Sequence, residues 1–151
     1  VPSICTLKTR HPIPNWRSRP PLEQLQQRRC PAGTNGIVAD ILVDTDIFID
    51  HLRGANQLTP GRHRLHYSVI TRAELFAGNT ATNLVSMLLA PFREVPVDRT
   101  VAERAGRIRR ESGIRLPDAL IAATAIEHEL GLATRNRSDF ERVRSLRLRR
   151  L

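Results

Sequence analysis

Four short stretches place side-chain oxygens where an apolar run gives way to a turn or a helix start. They are Ile41-Leu42-Val43-Asp44-Thr45-Asp46, Ser68-Val69-Ile70-Thr71-Arg72-Ala73-Glu74-Leu75, Leu116-Pro117-Asp118-Ala119-Leu120 and Ala133-Thr134-Arg135-Asn136-Arg137-Ser138-Asp139-Phe140. The chain carries a net charge of +9. It has little reason to gather carboxylates unless something cationic holds them. Carboxylate clusters with few Lys or Arg among them suit hard divalent cations such as Mg²⁺ or Mn²⁺. A cation held there can activate water and stabilise the leaving oxygen of a phosphodiester.

Other hydrolytic chemistries lack their parts. There is no Gly-x-Ser-x-Gly elbow, and no cysteine follows Cys30. His51, His63, His66 and His128 never fall at the His-Glu-x-x-His spacing of a zinc hydrolase. Each acid also has a bland role when taken alone. Glu74 suits a capping-box partner for Thr71. Asp118 suits a first-turn carboxylate that favours the helix dipole, and Asp46 suits an N-cap. Asp44 is different, because it ends an apolar strand and is expected to be partly buried, where a carboxylate needs partners.

The elements that must position these residues read as alternating strands and helices. Residues 41–43 form a short buried strand, and a helix follows from Asp46 to a stop at Gly54. Residues 65–70 read as a second strand, with Thr71 capping a helix that ends near Gly78. Residues 80–91 read as a helix and residues 94–97 as a third strand. Asp98 caps a helix through 111 with Val101, Ala105 and Ile108 on one face. Residues 118–130 form a buried helix, apolar nearly all round, with Pro117 in its first turn and Gly131 as its stop. Residues 132–134 and 146–148 complete the strands. This alternation predicts an α/β fold, a doubly wound α/β/α sandwich with a mostly parallel sheet of four or five strands. In such sheets the functional crevice lies off the carboxyl ends of the strands. The four acidic stretches converge on that edge, with Glu74 expected in the first turn of its helix.

Composition sets the surroundings. Arg outnumbers Lys 23 to 1, and the only Lys is Lys8. A sequence pI near 11.3 points to a polyanionic partner, most often a nucleic acid. The basic residues concentrate at the two ends of the chain. Residues 1–36 contain Pro2, Pro12, Pro14, Pro20, Pro21 and Pro31 and no apolar period. They are expected to be an extended or disordered extension, with a short helix at 22–29, while residues 37–151 form the folded domain. The first Met is Met87, so residues 1–36 read as a translated upstream stretch or as a basic nucleic-acid-binding arm. Cys5 and Cys30 form neither a metal motif nor a disulfide framework. Apolar runs fall short of the roughly 18 residues of a membrane span, and the start has no apolar core of a signal peptide. A cytoplasmic protein without a membrane partner is the expectation.

The ordered set of motifs resembles the PIN-domain ribonucleases, and most of all the VapC toxin branch of bacterial toxin–antitoxin pairs. The resemblance covers about residues 39–151 and rests on Leu42-Val43-Asp44-Thr45-Asp46, Ser68 through Leu75, Leu116-Pro117-Asp118 and Thr134-Arg135-Asn136 through Asp139-Phe140. It implies a PIN-like fold and a Mg²⁺- or Mn²⁺-dependent endoribonuclease. Asp44, Glu74 and Asp118 match the family's three main acids as catalytic and metal-holding residues, with Thr45 and Asp46 in support. Asn136 stands where many members carry a fourth acid, and Asp139 is the alternative fourth ligand. The resemblance further implies an RNA substrate, a VapB-like antitoxin and a homodimer.

Three other readings compete. Asp44-Thr45-Asp46 also resembles the first motif of haloacid-dehalogenase-type phosphatases, which need a Lys and a later acidic pair. The domain has no Lys, and Asp118 has no acidic neighbour. A receiver domain fails for the same missing Lys. A catalytically weak or inactive PIN module that binds RNA or a protein rests on Asn136 alone.

Overall fold

The structure, a computed structural model, describes residues 39–151. The expectations for residues 1–36 and the helix at 22–29 lie outside the described residues. Strand β1 (Asp40–Val43) is followed by helix α1 (Thr45–Arg53), β2 (Arg64–Ser68), α2 (Val69–Ala77) and α3 (Thr82–Leu89). Then come β3 (Arg93–Val95), α4 (Arg99–Ser112), α5 (Leu116–Glu127), β4 (Gly131–Ala133), α6 (Arg137–Phe140) and β5 (Leu148–Arg149). The sheet has five strands in the order β3-β2-β1-β4-β5, and every pairing is parallel.

β1 is the central strand, apolar on both faces as a covered parallel strand must be. Ile41 and Val43 pack with Phe48, Leu65, Tyr67, Leu75, Val85 and Leu89 beneath α1, α2 and α3. Leu42 points the other way, into a core with Val101, Ala105, Ile108, Ile121, Ala122 and Leu132 beneath α4 and α5. Strand order reverses between β1 and β4, so the crevice of a doubly wound sheet opens off their carboxyl ends. Asp44 lies at that point and donates its backbone N–H to the Ala133 carbonyl, 2.9 Å away.

Several local expectations are corrected. The second strand stops at Ser68, because the Ser68 hydroxyl accepts from Ile70 N at 3.2 Å and caps α2. Thr71 is therefore inside the helix and is not its cap. The N-cap of α1 is Asp44, whose carboxylate accepts from Thr45 N at 2.7 Å, so Asp46 belongs to the first turn. The buried helix α5 begins two residues early, at Leu116, and ends at Glu127. Gly131 does not stop it but opens β4, since a Cβ there would meet Arg149 Cγ at 2.5 Å where β5 pairs. Asp139 is the third residue of the short helix α6, which starts at Arg137. Two expected caps hold: Asp98 accepts from Val101 N at 2.9 Å, and Gly54 takes φ 74° at the end of α1, a conformation that costs glycine little.

Candidate functional site

The carboxyl edge of β1 and β4 forms a cleft of about 240 Å³ lined by Asp44, Thr45, Asp46, Ile49, Glu74, Asp118, Asn136 and Phe140. Four segments distant in sequence supply its polar groups. Asp44 comes from the β1–α1 junction and Glu74 from the second turn of α2, one turn later than the sequence suggested. Asp118 comes from the first turn of α5, and Asn136 from the turn before α6.

Asp44, Asp46 and Glu74 are held by backbone N–H and hydroxyl donors and not by a guanidinium. Thr45 Oγ1 donates to Glu74 Oε2, and it also shares a 3.3 Å hydrogen bond with Thr71 Oγ1. Asp46 Oδ2 accepts from Arg135 N at 2.8 Å, Asn136 N at 3.2 Å and Thr134 Oγ1 at 3.3 Å. Among the described residues, no Arg, Lys or His forms an ion pair with Asp44, Asp46, Glu74 or Asp118. The arginines pair elsewhere, with Arg135 on Asp50 at 3.4 Å and Arg72 on Glu94.

The electrostatic cost is visible in protonation. Burial, with the Asp46 charge beside it, pushes the Asp44 carboxyl from 3.8 up to about 7. Asp118 is raised as well, first by burial. Arg115 opposes that shift, while Glu74, Asp139 and Asp46 add to it. Like charges in a low-dielectric cleft disfavour ionisation unless a counter-charge arrives.

The two residues expected to offer a fourth ligand have turned to one another. Asn136 Nδ2 donates to Asp139 Oδ2 at 2.6 Å, and Ser138 Oγ donates to Asn136 Oδ1 at 3.1 Å. Asn136 lines the cleft; Asp139 is not among its lining residues. Sequence reasoning did not foresee the grip of Asp46 on the chain after β4. Its signal was faint, since only the distance of two residues from Asp44 marks it.

The donor set suits a hard divalent cation. All the side-chain donors are oxygens, most of them carboxylate, and Asp46 Oδ1 is buried without a hydrogen-bond partner. Among the described residues, no three His, Cys, Asp or Glu side chains close directly on one point. An open acidic cleft of this kind matches a cation that keeps several of its waters and takes few protein ligands, as Mg²⁺ does.

A doubly wound parallel sheet with an oxygen-lined acidic cleft at its switch point, in a strongly basic chain, suits an α/β nuclease. The family model described as "PIN domain" matches residues 41–146. The chain is 45% identical over 109 residues to a Mycobacterium tuberculosis protein named Ribonuclease VapC10, covering 64% of this chain and 82% of that one. Among solved structures, a toxin–antitoxin complex from Klebsiella pneumoniae aligns with TM-score 0.56 and 34% identity, over 66% of this chain and 89% of that one. A VapBC-5 complex from Mycobacterium tuberculosis aligns with TM-score 0.54 and 27% identity, over 75% and 99%. The chain belongs to the PIN-domain family, in its VapC ribonuclease branch. No helix among the described residues is long and apolar enough to cross a membrane.

Proposed function

We propose that the chain is the ribonuclease toxin of a toxin–antitoxin pair. It hydrolyses RNA phosphodiester bonds in the Asp44–Glu74–Asp118 cleft with Mg²⁺, for which Mn²⁺ can substitute. One observation carries this reading: four acids from three separate segments share a cleft in which, among the described residues, none of them forms an ion pair, although the chain is strongly basic. The inactive-module reading is not favoured, because the three main acids are all present and assembled.

Asp44 and Asp118 would hold the cation. Their raised carboxyls would ionise when it supplies the missing counter-charge. A bound divalent cation makes a water nucleophilic at neutral pH and stabilises the leaving oxygen. Thr45 fixes Glu74 through Oε2, and the Glu74 carboxylate at the cleft would orient the attacking water and accept its proton. The arginines outside the cleft meet the RNA backbone.

A VapB-like antitoxin is the proposed partner, with a homodimer of this chain inside the complex. Phe76 on α2 and Met87 on α3 are exposed apolar side chains that a folding antitoxin segment can cover. An Arg from that segment would enter the acidic cleft and compete with the cation. The cytoplasm is the proposed compartment, and residues 37–151 the proposed domain.

The test is direct. The purified chain should cut RNA with Mg²⁺ or Mn²⁺ and stop in EDTA, and Asp44→Asn or Asp118→Asn should each lower the rate by several orders of magnitude without unfolding the protein. Undiminished cleavage in EDTA would overturn the metal-dependent reading. Expression alone should arrest growth, and co-expression with the neighbouring small reading frame should relieve it. Harmless expression of a chain that still cuts RNA in vitro would replace the toxin role with an RNA-processing one.

A further inference from the structure

Six arginines follow Asn136: Arg137, Arg142, Arg144, Arg147, Arg149 and Arg150. Only two acids, Asp139 and Glu141, stand among them. Earlier in the domain several arginines find carboxylates: Arg64 pairs with Asp40, Arg72 with Glu94, Arg104 with Glu127 and Arg135 with Asp50. Among the described residues, none of the six after Asn136 forms an ion pair. Asp139 is bonded instead to Asn136 Nδ2. Two of the six guanidinium groups are tied to backbone carbonyls. Arg137 Nη1 donates to the Arg149 carbonyl at 3.5 Å, and Arg147 Nη2 donates to the Glu129 carbonyl. A neutral carbonyl orients a guanidinium without cancelling its charge.

The fold lays these charges along one flank. Asn136 lines the cleft, and Arg137 is the next residue, the first of α6. Phe140 and Val143 are buried in the core beneath α4 and α5 and anchor the segment that follows α6. Arg142 and Arg144, on either side of Val143, are exposed. Arg147 reaches Glu129, two residues before β4 begins, at the opposite edge of the sheet from the cleft. β5 is the outer strand beside β4, and Arg150 follows it. The arginines thus form a stripe from the cleft rim along the free side of the sheet. Like charges gathered on one flank repel each other, and a polyanion laid over them gains affinity by releasing counterions.

We infer that an RNA strand held in the cleft continues over this α6–β5 flank, its phosphates meeting Arg137, Arg142, Arg144 and Arg150. The inference rests on the ribonuclease reading of the cleft and adds to it the path of the substrate. The stripe starts one residue from a cleft-lining side chain, so a phosphate next to the scissile one is the first to reach it. Arg149 is left out because its stem lies against Gly131, where a Cβ would meet Arg149 Cγ at 2.5 Å. The plainer account of such arginines is protection, since charged side chains on an outer strand block pairing with another chain. That account forecasts self-association when they are removed, and no change in RNA binding.

The probe is a fluorescein-labelled single-stranded oligouridine, bound to Asp44→Asn protein in EDTA at several salt concentrations, so that no cleavage intervenes. Arg142→Gln with Arg144→Gln should weaken binding. It should also flatten the salt dependence, by about 1.4 in the slope of log K against log salt for two lost phosphate contacts. Arg142→Lys with Arg144→Lys keeps the charges and should keep the slope. Arg53→Gln with Arg93→Gln removes as much charge from the end of α1 and from β3, the outer strand on the other side of the sheet, and should change the slope less. With Asp44 intact, the Arg142→Gln/Arg144→Gln pair should raise KM for RNA several-fold and leave kcat near wild type. Circular dichroism melts check the fold of each variant.

A wild-type salt slope in a folded Arg142→Gln/Arg144→Gln protein would overturn the proposed path. So would an equal fall in slope from Arg53→Gln/Arg93→Gln, and so would self-association with RNA affinity intact. Failure of the ribonuclease reading looks different: the wild-type chain would then leave RNA uncut in Mg²⁺, while the binding isotherms still report on the flank. If the wild-type chain cuts RNA and the Arg142→Gln/Arg144→Gln pair binds it as before, the cleft stands and only the path falls.

Discussion

Thr45 Oγ1 donates to Glu74 Oε2 and so ties the first residue of α1 to the second turn of α2, across 29 positions in sequence. Thr45 is buried as a residue. Glu74 projects from α2 while Asp44 stands at the start of α1, and this bond sets where the Glu74 carboxylate stands. The arrangement makes Thr45 a positioning residue.

Thr45→Val keeps the volume and removes the donor. It should lower RNA cleavage by about ten- to a hundredfold, the usual cost of losing a partner of a metal-site group. The loss of stability should be about 1 kcal/mol, the net worth of one part-buried hydrogen bond. Thr45→Ser should recover most of the rate. A rate unchanged in Thr45→Val would show that Glu74 needs no such support.

Protonation of Asp44 gives a second test. Its folded carboxyl titrates at about 7 against an ordinary 3.8, raised first by burial and next by Asp46. A raised carboxyl binds its proton more tightly in the folded state. Its contribution to stability is complete below the unfolded value and is lost as pH climbs through the folded one. Asp118 acts in the same direction. Asp40, lowered by His66 and Arg64, and Glu94, lowered by Arg72, act in the opposite direction, but only below the ordinary carboxylate range. Metal-free protein should therefore lose melting temperature as pH rises from about 5 to 8, a window above the titration of ordinary carboxylates. Asp44→Asn should flatten that slope, and saturating Mg²⁺ should remove it by supplying the counter-charge. Differential scanning calorimetry in EDTA and in Mg²⁺ reads both.

The same residues show where the sequence was legible. The runs ending at Asp44 and Ala133, the alternation of strand and helix, and the apolar wrap of α5 all announced a covered parallel sheet, because they are local patterns. The β2–α2 boundary was misjudged for a physical reason. Val69 and Ile70 are β-branched and apolar, so they extended the expected strand, whereas Ser68 capping Ile70 N decides the helix start. Gly131 looked like a helix stop because its need for space against Arg149 arises only when β5 pairs with β4. The three main acids were legible as motifs. The bond from Asp46 to the turn after β4 was not, since it joins residues that approach only in the folded chain.

The corrected cap gives a third prediction. Ser68 is fully buried and caps the helix that carries Glu74. Ser68→Ala should cost about 1 kcal/mol. The frayed first turn should also lower cleavage, because Thr71, the partner of Thr45, lies in it. Thr71→Val leaves the cap intact and removes one hydroxyl from the Thr45 bond. It should shift the melting temperature less than Ser68→Ala if the cap is at Ser68. Chemical denaturation of the two variants side by side decides the matter, and a larger loss from Thr71→Val would return the cap to the expected position.

The proposed domain boundary is tested by removing residues 1–36. Among the described residues, positions 39–151 by themselves supply a five-stranded sheet and two apolar cores. A chain starting at residue 37 should therefore melt close to the full chain and keep Mg²⁺-dependent cleavage. The deleted stretch carries six basic residues and one acidic residue, Glu23, so it holds five of the nine net positive charges. If these charges meet RNA phosphates, deletion weakens RNA binding and flattens its dependence on salt, because fewer counterions are released per complex. Binding isotherms at several salt concentrations, using Asp44→Asn protein to prevent cleavage, measure that slope. An unchanged slope assigns RNA binding to residues 37–151 alone, and a large drop in melting temperature would move the domain boundary into the first 36 residues.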